Sequence, residues 1–165
     1  MGGAILSFCA MAVSVRELSA AHDPFQILFF RSLLGVLVLG LVVARLGPGL
    51  LRSPRWRWHA VRHSVHFAAQ AGWVHSLALL PLAQVFAIEF TSPVWGSILA
   101  SPLLGERLGR GRLPAHLAGL AGILVVLRPG PDLLPPAALV MLASAAGLGF
   151  VNVLTKRLAR HKRLI

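Results

Sequence analysis

Apolar residues run along the chain in six blocks separated by short gaps that hold most of the charge. The blocks cover about Met1–Val15, Phe25–Ala44, Ala60–Leu80, Leu82–Leu104, Leu113–Leu127 and Leu133–Leu154. Crossing about 30 Å of hydrocarbon takes about 20 residues of helix, and most of the blocks are near that length. The pattern predicts an all-α membrane protein of about six transmembrane helices.

The gaps alternate in charge. Arg16, Glu17, His22 and Asp23 nearly cancel, whereas Arg45, Arg52, Arg55, Arg57 and Arg62 have no acid among them. The gap at Pro81 is uncharged. Arg107, Arg110 and Arg112 then outweigh Glu106, Arg128 offsets Asp132, and the tail carries Lys156, Arg157, Arg160, Lys162 and Arg163. Every second gap is basic, as six crossings with both termini in the cytoplasm require. Trp56 and Trp58 beside Arg55 and Arg57 read as an interfacial anchor.

Composition agrees with this reading. The 165 residues are 56% hydrophobic and 13% charged, against about 25% charged in soluble domains. The net charge of +11 sits in the gaps and follows membrane orientation, so no nucleic-acid partner is expected. Cys9 is the only cysteine, which excludes an intrachain disulfide and reads as a small packing residue. No HExxH, P-loop or GxSxG motif is present. The expectation is a non-enzyme with no cofactor.

The polar residues inside the blocks are the candidate chemistry. A charge at mid-membrane costs about 2.5–3.5 kcal/mol on insertion scales. With a 1.5 Å rise per residue, Glu89 lies roughly 10 Å, and Arg31 roughly 9 Å, below the outer boundary. Trp73 and His75 fall roughly 7–11 Å from the same boundary. These residues, from three helices, share one level and are expected to face a common water-accessible cavity. The alternative is that Arg31 snorkels outward and Glu89 stays protonated against backbone. Ser92, Pro93, Gly96 and Ala100 continue the Glu89 face, giving either close helix approach or a cavity wall. Pro93 frees the Glu89 carbonyl and predicts a kink there. On the third block His59, His63, His66, Gln70 and Trp73 form a polar stripe, whose spacing makes a metal conceivable but not expected. Ala115/Gly119 and Ala118/Gly122 suggest close packing on the fifth, and Asn152 either bonds across helices or lines a pathway.

The segments Leu77–Leu108 and Gly119–Gly130 resemble the EamA family of the drug/metabolite transporter superfamily. The residues that carry the resemblance are Pro81 with Ala83, Phe90-Thr91-Ser92-Pro93, Leu104-Gly105-Glu106-Arg107-Leu108, Arg128-Pro129-Gly130 and Arg31. The resemblance implies two five-helix repeats of inverted orientation around a central cavity, and transport of small organic metabolites such as amino acids by alternating access. It brings Gln70, Trp73, Glu89, Ser92 and Trp95 into consideration as cavity residues, which with Arg31, His75 and Pro93 make the substrate-cavity candidates. Residues 1–130 correspond to one repeat and 131–165 to the first helix of a second with a basic cytoplasmic tail. The chain then reads as a truncated product in the inner membrane, with the lipid bilayer and a small metabolite as partners. A second copy of the chain or a separate second half-transporter is the candidate for completing it. The competing expectation is an inactive remnant or an accessory membrane subunit.

Overall fold

A computed structural model of the chain describes residues 2–47, 55–105, 113–127 and 135–162. It is all-helical there: α1 (Gly2–Leu18), α2 (Pro24–Leu46), α3 (Trp56–Leu79), α4 (Leu82–Glu89), α5 (Ser92–Leu104), α6 (Leu113–Leu127) and α7 (Pro136–Lys162). Arg52, Glu106 to Arg112, Arg128 to Asp132 and Arg163, on which part of the charge alternation and two of the quoted motifs rest, lie outside the described residues.

Three stretches are long and apolar enough by themselves to cross a membrane: Pro24–Leu46, Leu82–Leu104 and Pro136–Ala159. α1 and α6 are shorter, with 17 and 15 residues. α3 is long enough at 24 residues but carries the polar stripe.

Local chemistry sets several boundaries. Asp23 accepts a hydrogen bond from Phe25 N at 2.8 Å, and Pro24 follows it in the first turn. This N-cap satisfies an orphan donor, and the proline spends its missing N–H where none is needed. Gly105, at φ 66, closes α5 with its N–H on Ser101 O at 3.0 Å. That left-handed turn is cheap only for glycine.

The fourth apolar block, read as one kinked helix, is two helices. Pro93 has no N–H for the Glu89 carbonyl, and its ring would clash with that group in a continuous helix. The backbone tightens instead, with Thr91 N bonding Ile88 O at 3.0 Å and Thr91 Oγ1 donating to the same carbonyl at 2.7 Å. α5 then starts at Ser92 with Pro93 in its first turn.

Hydrogen bonds and contacts give the relative directions. α3 and α7 run antiparallel, since Arg62 meets Thr155, Gly147 meets Ala69 and Ser76 meets Ala137. α1 runs with α3, as Phe8 packs on Trp73 while Arg16 reaches Leu80 O at 2.7 Å. α2 runs against α3, with Arg31 at Gln70 and Asp23 near His75. The core lies where α1, α3, α4 and α7 meet, around Ala12, Trp73, Leu77, Val85 and Met141. Half of the apolar window of α7 is buried, 50%, against 11% for α2. An apolar helix left so exposed suits a lipid environment, where no water penalises it.

The backbones of α5 and α7 touch. A methyl group on Gly149 would lie 2.7 Å from Ser92 O and 2.8 Å from Gly96 N. The small-residue face of α5 is therefore used for close approach at Gly96. By contrast, a side chain on Gly119 or Gly122 of α6 would meet nothing within 4 Å. The close-packing signature read there is not used for a contact among the described residues, because such spacings permit an approach without choosing a partner. Cys9, read as a packing residue, is exposed, and so is Asn152.

Candidate functional site

Trp73 is 1% exposed, and a buried indole N–H needs an acceptor. Glu89 provides it: Trp73 Nε1 donates to Glu89 Oε2 at 2.8 Å. The carboxylate reaches this position because α4 ends at Glu89, immediately before the turn that Pro93 imposes. Aromatic packing holds the indole from behind. The Phe8 ring lies 5.9 Å from that of Trp73 and 5.8 Å from that of Phe86, the latter edge-on.

One helical turn away on α3, Gln70 Oε1 accepts from Arg31 Nη1 at 2.6 Å. Residues three apart neighbour each other on a helix, so Gln70 and Trp73 hold the two charged residues side by side along α3. Arg31 and Glu89 share no hydrogen bond or ion pair among the described residues. Both are placed through the polar stripe of α3.

The remaining candidates lie elsewhere. His75, two residues beyond Trp73, is turned about 200° around the helix. It lines a cavity of about 300 Å³ with Asp23, Pro24, Ala71 and Gly72. Ser92 and Trp95 are half-buried against Gly149 of α7, while Pro93 is exposed. Of the histidines, His63 Nε2 lies 2.9 Å from Arg62 Nη2 and accepts from it. Arg62 also reaches Thr155 of α7 at 3.3 Å. No group of three His, Cys, Asp or Glu side chains suited to a metal occurs among the described residues.

Several participants escaped sequence reasoning. Phe8 gave no signal among the apolar residues of α1. Ser76 Oγ lies 2.8 Å from Gly72 O and 3.1 Å from Ala137 O, joining α3 to α7. His116 Nε2 and Ser97 Oγ, 2.9 Å apart, link α6 to α5. A polar residue within an apolar run was the available signal for the last three.

The carboxylate at Glu89 can pair with a cationic or amine group, and the guanidinium at Arg31 can pair with an oxyanion. An all-helical membrane protein with a half-buried carboxylate and an arginine within its apolar helices has the features of a carrier or channel rather than an enzyme. Residues 2–128 match the EamA-like transporter family, and the chain belongs to it.

Curated relatives carry transporter names. The chain is 24% identical to the S-adenosylmethionine uptake transporter of Rickettsia bellii over 161 residues, covering 98% of this chain and 55% of that protein. It is 31% identical to the riboflavin transporter of Rhizobium johnstonii over 159 residues, 96% of this chain and 50% of that protein. It is 28% identical to the pseudopaline exporter CntI of Pseudomonas aeruginosa over 128 residues, 76% of this chain and 44% of that protein. The chain spans about half the length of the curated relatives it matches. No solved structure matches it significantly.

Proposed function

We propose that the chain serves in a carrier of small organic metabolites, in which Glu89, held by Trp73, meets the solute in a water-accessible crevice. The observation that carries this reading is the Trp73–Glu89 hydrogen bond inside an apolar bundle. An acid there is costly unless paired, and such residues mark solute and ion pathways in membranes. Arg31 and Gln70, one turn along α3 from Trp73, complete the proposed solute-contacting set; His75, on a separate cavity, and Ser92, Pro93 and Trp95, on α5, are left outside it.

Residues 1–130 form one five-helix repeat in this proposal, and 131–165 open a second of inverted orientation. The family match over 2–128, ending before α7, supports that division. An odd number of crossings reverses whatever follows it, which is how inverted repeats arise. The proposed setting is the inner membrane with both termini in the cytoplasm, supported by the basic residues at the ends of α2 and α7. Completion by a second copy or by a separate half-transporter belongs to the same proposal.

The names of the relatives suggest riboflavin, S-adenosylmethionine and pseudopaline as the first solutes to offer, and the family resemblance adds amino acids. The test is counterflow of each labelled solute in vesicles holding the full chain, alone and with Glu89→Gln. Saturable counterflow of at least one solute is expected, reduced about tenfold or more by the substitution, the size expected when a charge-assisted contact is lost. Flux indifferent to Glu89→Gln, or no saturable flux of any solute, would overturn the proposal.

A further inference from the structure

A groove between α2 and α3, toward the basic end of α3 from Trp73, encloses a cavity of about 360 Å³. Arg31, His63, His66, Gln70, Leu28 and Phe67 line it. We propose that this groove is a subsite for an anionic group, a carboxylate or phosphate, borne by a small organic solute or by a lipid headgroup. For a solute, the subsite rests on the transport reading above and specifies its substrate class.

The lining is a set of donors. Arg31 commits one guanidinium nitrogen to Gln70 Oε1, and a guanidinium has five N–H groups in a fork that matches two oxygens of a carboxylate or phosphate. With its oxygen occupied by Arg31, Gln70 has an amide NH₂ to offer. Because Arg62 donates to His63 Nε2, the proton of that imidazole sits on Nδ1, a further donor. Arg62 adds a second fixed positive charge behind the groove. His66 Nδ1 and, behind it, Arg62 Nε are buried with no hydrogen-bond partner among the described residues, a condition that polar atoms rarely keep without a ligand or water.

Among the described residues no acid lines the groove. Asp23 caps α2, Glu17 is exposed on α1 and Glu89 accepts from Trp73. Phe67 and buried Leu28 supply apolar walls for an organic body, and the volume falls within the usual range for small-ligand sites. Arg31 is exposed to the groove, so its free N–H groups are open to an incoming anion.

The test titrates the full chain in an uncharged maltoside detergent with inorganic phosphate, succinate and choline, following tryptophan fluorescence and melting temperature. Saturable binding of phosphate or succinate, and none of choline, is expected. Arg31→Gln and His66→Leu should each weaken it about tenfold or more. Failure of both anions to bind the unaltered chain overturns the proposal, as does equal binding of choline. Unchanged binding in both variants does the same. Repeating the titration in nanodiscs with and without phosphatidylglycerol identifies the source. Anion binding abolished by that lipid assigns the subsite to a headgroup, and binding that persists assigns it to a free solute; either result supports an anionic site. Anion binding without solute flux would keep the subsite and remove the transport reading, and flux without anion binding would do the reverse.

Discussion

The pairing of Trp73 with Glu89 joins residues sixteen apart in the sequence and on different helices. Replacing Trp73 with Phe keeps much of the ring packing and deletes the donor. The carboxylate then loses a partner in a partly buried site, worth about 1–3 kcal/mol. Thermal denaturation in detergent should show a lower melting temperature for Trp73→Phe, and Glu89→Gln, whose amide oxygen can still accept from the indole, should lose less. Equal stability of Trp73→Phe and the unaltered chain would mean that the bond contributes nothing. This pair was half legible in the sequence. Rise per residue fixed the height of Trp73 and Glu89, but height leaves the angle around each helix open. For that reason Gln70, and not Glu89, holds Arg31, and His75 faces Asp23 across a different cavity. Phe8 was invisible because an aromatic in an apolar run is unremarkable until the neighbouring helix is known.

At the scale of elements, proline and glycine decide the architecture. Pro93 splits the fourth block, and Thr91 satisfies the carbonyl of Ile88 at the break. Pro93→Ala restores an N–H for Glu89 O and permits a continuous helix from Leu82 to Leu104. The Glu89 side chain should then turn away from Trp73, seen as a changed tryptophan emission maximum and lower solute flux. An unchanged spectrum would show that Thr91 makes the turn by itself. Gly149 meets the backbone of α5 directly, so Gly149→Val forces α5 and α7 apart at a cost of about 1–3 kcal/mol, the usual range for overpacking. Gly119→Ala should be nearly neutral or slightly stabilising by the same thermal assay, since nothing among the described residues lies within 4 Å of a β-carbon there. The break at Pro93 was readable because proline acts on its own chain. The choice of Gly96 and Gly149 over Gly119 and Gly122 was not, because spacing states what can approach and never which helix will.

The whole molecule places polar groups of both signs between helices whose outer surfaces are apolar. α2 exposes Phe29, Leu34, Leu37 and Leu41, while α3 turns Gln70 and Trp73 toward charged partners. The six apolar blocks and the all-helical class were legible because membrane length and hydrophobic continuity are properties of the sequence itself. The packing of α7 against α3 and α5 was not, because its gaps and length were equally compatible with other neighbours. If both termini face the cytoplasm, a fluorescent protein fused after Ile165 should fluoresce, and alkaline phosphatase fused there should be inactive; the reverse pattern would invert the orientation. The central claim, that Glu89 lies in a wet crevice and not against lipid, is tested most directly by cysteine accessibility. In a Cys9→Ser background, Glu89→Cys should react with a membrane-impermeant methanethiosulfonate reagent and be protected by a transported solute. Reaction only with a lipid-soluble maleimide would contradict the account.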